Sequence, residues 1–417
     1  MRPVRRTLRW TSACAVIVLF ASHAGAETSP WSYGAALGLS HDSNVYRLPD
    51  SAAALPGDQS RADTVTTATV LAGLDQPIGR QRVFGNASLR DIRFAHNSAL
   101  NNNGYGLNLG LDWSTAERLS GRLSLQANRD QALYNPDKDL PTVLRSNSVR
   151  SEQIEAIVRL GAVSTWLLEG ALGWRQSAQS APQYRALDVH QATATVGLRW
   201  QPRGTLSLAT SLRLADGRYP HYRRLADGSD QADRFRRQEL NLNADWAASG
   251  ASTLALRLGA THMAFTEATQ RNFNGLTGEL RWAWRPRAKL ALTGTLARDT
   301  SADAALGAGI ISSSLQSRAS NTLRVQADYE LSAKINLQAT LSTVQRDLAS
   351  SATIFGSAAL TAGSDRANSL GLAARWAPTR TLQLRCEFNH DRRRSDGRLS
   401  LAYGANNLGC TGQILIS

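Results

Sequence analysis

The chain has 417 residues, of which 42% are hydrophobic, 19% are charged and 3 are cysteine. That is enough apolar side chain for a sizeable ordered structure and too little cysteine for a disulfide-stapled one; beyond residue 26 no run approaches the roughly 18 apolar residues that a membrane-crossing helix needs. The formal charge is +14, from 47 basic and 33 acidic residues, and because only Lys138, Lys289 and Lys334 are lysines the excess sits on arginine, whose planar fork suits bidentate contact with anions.

Residues 1–26 have the three parts of a secretory signal: Arg2, Arg5, Arg6 and Arg9, an apolar run over 13–20, and Ala24-x-Ala26 for cleavage. The expected mature chain is 27–417. Cys14 leaves with the signal, so Cys386 and Cys410 remain in an oxidising compartment.

From 31–45 onward the chain alternates polar and apolar residues with period two, the pattern of a half-buried strand. Tyr105, Leu107, Leu109, Leu111 and Trp113 form one apolar face against Gly106, Asn108, Gly110 and Asp112. The same grammar returns in Leu323, Val325, Ala327, Tyr329 and Leu331, and again in Leu382, Leu384, Cys386 and Phe388. A larger unit repeats as well: an aromatic ends one strand, a short turn follows, and a Leu-x-Leu strand begins. It is clearest at Trp113, Trp200, Trp282 with Trp284, and Trp376, and weaker near Pro77, Gly161, Trp246 and Tyr329. Between these units lie longer polar stretches at 47–60, 135–147, 180–187, 222–233, 302–316 and 349–364.

Short turns alternating with long ones, with a last strand over 399–416, predict an all-β fold: a transmembrane antiparallel up-and-down β-barrel of about 18 strands occupying 27–417. The rival architecture is a soluble β-sandwich or solenoid. Trp113, Trp200, Trp246, Trp282, Trp284 and Trp376 share the apolar parity beside short turns, which predicts an aromatic girdle at one membrane interface. The opposite parity carries Arg122, Arg199, Arg257, Arg281, Arg324, Arg375 and Arg385, together with Asp112, Asp245, Asp328, Glu330 and Glu387. These are expected to line a water-filled lumen, the surplus arginines setting its selectivity.

No catalytic or metal constellation is present. His41, His96, His190, His221, His262 and His390 are widely spaced, no GxSxG element appears, and the expectation is no enzyme, cofactor or metal. An outer-membrane hydrolase assembled from separate strands is the one enzymatic alternative. Arg223-Arg224, 234–237 and 392–394 sit at expected outer loops or strand tips, where they would meet outer-membrane lipid phosphates or funnel an anionic solute; nucleic acid is not an expected partner of an exported chain. Asp42 and Asn44 read either as a rim site for a ligand or ion or as an Asx turn leading into the first loop. Cys386 and Cys410 fall on the last two predicted strands and are expected to form a disulfide. A hairpin tip near 395–396 faces Cys386 with a residue near 405, however, so pairing needs a shifted tip or a bulge.

The opening Trp31-Ser32-Tyr33-Gly34, the segment His41-Asp42-Ser43-Asn44-Val45-Tyr46-Arg47-Leu48, and Tyr403, Ala405, Asn406 and Cys410 in the tail are similar to EpsL-type outer-membrane proteins of exopolysaccharide loci, in the β-barrel porin 2 group. The resemblance implies an outer-membrane protein encoded beside polysaccharide polymerisation and exosortase genes. Its expected role is a conduit for an acidic extracellular polysaccharide, with periplasmic export components as partners. A general anion-preferring porin is the alternative. The chain departs from many barrels by ending in Ile416-Ser417 rather than an aromatic residue.

Overall fold

A strand that is apolar on one side must pack that side or give it to lipid, and a sheet that closes on itself leaves no edge unpaired. A computed structural model of the chain describes residues 29–417 except 54, 56, 58, 116–117, 133–145, 162–164, 301–316, 355–356 and 398. The expected signal segment 1–26 and nearly all of the expected loops 135–147 and 302–316 lie outside the described residues.

The strands are β1 (Trp31–Asp42), β2 (Asp63–Ile78), β3 (Gln81–Phe94), β4 (Asn102–Ser114), β5 (Leu119–Gln131), β6 (Ser148–Leu160), β7 (Trp166–Gln179), β8 (Val189–Arg203) and β9 (Leu206–Arg224). They continue as β10 (Asp230–Ser249), β11 (Ser252–Phe265), β12 (Phe273–Arg287), β13 (Leu290–Thr300), β14 (Ser317–Ser332), β15 (Ile335–Ile354), β16 (Ser357–Trp376), β17 (Leu382–Ser395) and β18 (Tyr403–Ile416). Each pairs antiparallel with its sequence neighbours, and β1 pairs with β18 from Tyr33 opposite Ile416 to Asp42 opposite Asn407. The fold is therefore a closed 18-stranded antiparallel barrel, and the sandwich alternative is excluded.

Several boundaries differ from expectation. Strand β1 stops at Asp42 rather than residue 45, and β18 starts at Tyr403 rather than 399. Most of 222–233 and 349–364, expected as loops, is strand. The reason is height: 20 residues of β10 at about 3.3 Å each exceed twice the roughly 25 Å apolar band, so the outer part of such a hairpin stands in water and needs no apolar face. The β9–β10 tip closes tightly, Leu225 N–H donating to Ser229 O at 2.8 Å with Gly228 at φ 84°.

One parity of the wall is a continuous apolar exterior that includes Val70, Leu172, Leu242, Leu276 and Leu341, all exposed. The other parity faces inward. The buried apolar clusters lie at the long-loop end: Val45, Tyr46, Leu48, Phe94 and Leu100 in one, Ala181, Tyr184 and Leu187 in a second, and Tyr219, Phe235, Met263, Phe265, Ala268, Phe273 and Ala319 in the largest. Phe235, Met263 and Phe265 share the inward parity of Glu239 and Asn241. These clusters therefore fill part of the barrel mouth.

Two glycines show how the aromatics are accommodated. Phe84 lies on Gly110 of the neighbouring strand, and Phe235 lies on Gly217; neither position has room for a β-carbon under the ring.

Candidate functional site

The lumen is the candidate site, and its inward face divides into a charge-paired sector, a closed mouth and an open sector that carries unpaired arginines. At the short-turn end Asp75 takes Arg82 at 2.5 Å and Asp112 takes Arg122 at 2.5 Å, with both guanidiniums stacked on Phe84 at 5.2 and 5.4 Å. Arg159 meets Glu169 at 2.7 Å, Arg199 meets Asp245 at 3.8 Å and Arg385 meets Glu387 at 3.4 Å.

Higher up, Glu239 is the hub of a buried network. It accepts from Arg237 at 2.7 Å and Arg257 at 2.8 Å, with Arg213 at 3.9 Å; Asp299 takes the same two arginines at 3.0 and 3.2 Å. Arg237 and Glu239 are 2% and 1% exposed. Arg257 was expected on a solvated face, but with two carboxylate partners it is held in this network and contributes little free charge to a pore.

Above the network sits the largest apolar cluster. The Arg271 guanidinium is buried over the rings of Phe265 at 4.3 Å and Tyr219 at 5.1 Å. Its 3₁₀ turn, Thr269–Arg271, contacts β15 beyond the three strands that follow it, so the β11–β12 connection folds into the lumen.

The β3–β4 connection is built the same way, a repeat that alternation alone did not reveal. Phe94 donates its N–H to the Asn101 side chain at 2.7 Å, and Phe265 does so to Asn272 at 2.7 Å, each Asn directly following a 3₁₀ turn. Each loop is also anchored by a buried carboxylate one strand further back, on β2 and β10: Asp63 accepts from Asn97 N–H at 2.7 Å and His96 N–H at 3.1 Å, and Asp233 from Glu267 N–H at 2.8 Å and Ala268 N–H at 3.3 Å. The sequence signal was the shared spacing Phe94…Asn101 and Phe265…Asn272. A third inward turn, Pro182–Leu187, is closed by Asp188 accepting from Gln179 N–H at 2.7 Å; burial pushes this carboxyl's pKa up, against that hydrogen bond and the attraction of His221.

On the β12–β17 side the wall is open. Arg281, Thr295, Arg324, Ser342 and Ser369 lie in one register row across β12 to β16. Arg281, Arg324 and Arg375 have no ion-pair partner among the described residues; Arg324 borders a polar depression of about 210 Å³ with Gln338, Thr340, Arg385 and Asn389. Glu155, Glu279 and Glu330 are likewise without an ion-pair partner among the described residues; Glu279 and Glu330 share this sector on β12 and β14, so the basic character belongs to the register row of Arg281 and Arg324 and not to the sector or the lumen as a whole. Of the seven expected selectivity arginines, Arg122, Arg199, Arg257 and Arg385 are paired, and Arg281, Arg324 and Arg375 are available.

The girdle residues Trp113, Trp200, Trp246, Trp282, Trp284 and Trp376 all take the outward parity at the short-turn end, joined by Trp31 and Trp166, which lie at strand starts and escaped the strand-ending repeat. Trp166 stacks on Trp200 at 5.9 Å and Trp282 on Trp284 at 5.4 Å. The arginine runs are split by strand parity: Arg237 and Arg393 turn inward and are buried, whereas Arg234, Arg236, Arg392 and Arg394 face outward and are exposed.

Asp42 and Asn44 form the Asx turn. Asn44 N–H donates to Asp42 Oδ1 at 2.8 Å, Asn44 Nδ2 donates to Leu48 O at 2.8 Å and Gly404 O at 2.9 Å, and Arg47 holds both Asp42 oxygens at 2.9 Å. These groups are spent on the junction of β1 with β18, leaving no arrangement open to an ion. Among the described residues no group of three or more His, Cys, Asp or Glu could hold a metal ion.

Cys386 lies directly opposite Cys410, Cα to Cα 4.0 Å, and the two are disulfide-bonded on the lipid-facing parity. The register obstacle disappears because the β17–β18 ladder ends at Arg393 opposite Tyr403, with a broad connection instead of a tight tip at 395–396. Titration of the denatured, unreduced mature protein is expected to find no free thiol; one equivalent or more would overturn the pairing.

The closed sheet, its outward apolar band and the tryptophan girdle make the chain an outer-membrane β-barrel. Neither a family model nor a curated protein matches its sequence. Solved structures do resemble it in shape. OpdK of Pseudomonas aeruginosa, solved with vanillate, is 10% identical with a TM-score of 0.47, covering 93% of this chain and 99% of that one. A BenF-like porin of Pseudomonas fluorescens Pf-5 is 10% identical at 0.48, over 92% and 98%. The siderophore receptor PirA of Acinetobacter baumannii is 7% identical at 0.46, over 94% and 81%.

Proposed function

We propose that this barrel is a diffusion channel for small anionic solutes. The observation that carries the reading is the row on β12–β16 in which Arg281 and Arg324, free of carboxylate partners among the described residues, are separated by Thr295 and followed by Ser342 and Ser369. Guanidiniums two strands apart, roughly 10 Å, with one hydroxyl between them and two beyond, supply successive sites that hold an anion without trapping it. The adjoining part of the mouth, on β10 and β11, narrows the passage: inward-facing Phe235, Met263, Arg237 and Glu239 are at most 2% exposed, whereas a fully open barrel of this strand number would leave them wet. A narrowed lumen favours small solutes over a polymer strand. The acidic polysaccharide implied by the sequence resemblance is the rival occupant of the same arginine row.

Planar-bilayer recordings test both. At 0.1 M salt the channel is expected to prefer anions, and Arg281→Ser with Arg324→Ser is expected to move the reversal potential toward cations. The preference should fade by 1 M, where the Debye length falls from about 10 Å to about 3 Å. Arg257→Ser is expected to leave selectivity nearly unchanged. Absence of anion preference at low salt would refute the role of the arginine row, and current block by added acidic polymer at low micromolar concentration would favour the polysaccharide reading.

A further inference from the structure

The outer surface carries a second, independent feature on β6–β10. Outward-facing Ala156, Gly170 and Ala194 form the floor of a groove of about 350 Å³ walled by Val158, Leu172, Val196, Leu212 and Leu214. A β-carbon built at Gly170 meets nothing within 4 Å, so the floor is recessed below its neighbours. Small residues at adjacent register positions, Gly170 opposite Val196 and Ala194 opposite Leu172 and Leu214, make a furrow in a wall that is otherwise built of large aliphatic side chains.

Toward the long-loop end the furrow leads to a cationic row. Four residues beyond Leu214, about 13 Å along β9, stands Arg218, directly opposite His190 on β8 and Arg234 on β10. Arg218 and Arg234 are exposed, face the lipid side and have no side-chain partner among the described residues. Like charges at opposed positions repel, so this pair is unfavourable unless an anion lies between them. Two acids that share the outward parity of this face are already engaged: Asp216 with Arg236 at 3.3 Å, and Glu152 with Arg150 and Gln176. Between furrow and cations, Trp174 projects outward, the one described tryptophan away from the short-turn girdle.

We infer that this face holds a phosphorylated, multiply acylated glycolipid of the outer leaflet. An acyl chain lies in the furrow, the sugar rests against Trp174, and a phosphate bridges Arg218 and Arg234. Charge complementarity selects the phosphate, and the vertical order of apolar groove, aromatic and cations matches a lipid with its head at the outer interface. A diacyl phospholipid supplies one phosphate already esterified on both sides, and no sugar to cover the indole.

Native mass spectrometry of the refolded barrel tests the site, counting lipid retained per barrel after incubation with phosphorylated lipid A, with dephosphorylated lipid A, or with phosphatidylglycerol. The phosphorylated glycolipid is expected to be retained best. Arg218→Gln with Arg234→Gln should weaken its retention about thirtyfold, at roughly tenfold per 1.4 kcal/mol and about 1 kcal/mol per arginine. Ala194→Trp, which fills the furrow without touching charge, should also reduce retention. Unboiled-gel mobility verifies that each variant is a folded barrel. Equal retention of the dephosphorylated form, equal retention of phosphatidylglycerol, or retention unaffected by the double variant would each overturn the assignment. Because the face lies outside the lumen, none of these outcomes bears on ion selectivity.

Discussion

Replacing Glu239 with alanine is expected to destabilise the barrel by about 3–5 kcal/mol, because it leaves two guanidiniums to share the carboxylate of Asp299 in a place that water barely reaches. The network ties β10, β11 and β13 across the inside of the wall, where the ladder hydrogen bonds cannot act. Its loss should therefore lower both the temperature at which the fast-migrating folded band converts on gels and the urea midpoint. Glu239→Gln keeps the shape and one acceptor and should fall between wild type and alanine. An alanine variant that converts at the wild-type temperature would show that desolvation of the three groups cancels their attraction.

Asp63→Ala is expected to lose about 2–4 kcal/mol, concentrated in one loop. The carboxylate is 1% exposed and accepts from the N–H groups of Thr64 at 2.7 Å, His96 at 3.1 Å and Asn97 at 2.7 Å, and from Asn97 Nδ2 at 2.8 Å. Asn97 in turn holds Ser60 through both ends of its amide, at 2.8 and 3.0 Å. Without Asp63 these buried donors lose their acceptor, and the β3–β4 connection should leave the mouth. The expected readouts are larger, noisier single-channel conductance and new proteolytic cleavage within 95–101. Asp63→Asn, which preserves one acceptor oxygen, should show a milder form of both. Unaltered conductance and protease resistance in the alanine variant would mean that the loop is held by Tyr46, Phe94 and Leu100 alone.

The barrel was legible because lipid enforces a strict rule: one parity must be apolar along every crossing strand, and a segment such as Tyr105 to Trp113 states that rule in the open. Which way each arginine points was legible for the same reason. Whether it is free was not, since pairing depends on which strand lies alongside. Arg257 and Arg324 look equivalent in sequence, yet one lies within reach of Glu239 and Asp299 while the other faces Thr295 and Ser342. The inward loops were missed for a different reason. Their anchors are single polar residues, Asp63, Asp233, Asn101 and Asn272, whose role appears only when strand and loop are brought together.

The junction of β1 with β18 has a bearing on how the ring forms. Asn44 Nδ2 reaches Gly404 O across 360 residues of chain, and Ser43 Oγ accepts from Asn406 N–H at 2.8 Å, whereas the Cys386–Cys410 bond closes a span of 24. By the logarithmic growth of loop entropy, joining the first strand to the last costs roughly 2 kcal/mol more than joining the last two to each other. The chain meets that handicap with side-chain bonds concentrated at the joint, beyond the ladder itself. β18 is covalently fastened to β17, so what must find β1 is a preassembled hairpin and not a single free strand. A strand held in this way presents its free edge to β1 in a fixed orientation, so closure of the ring needs no separate step to orient it.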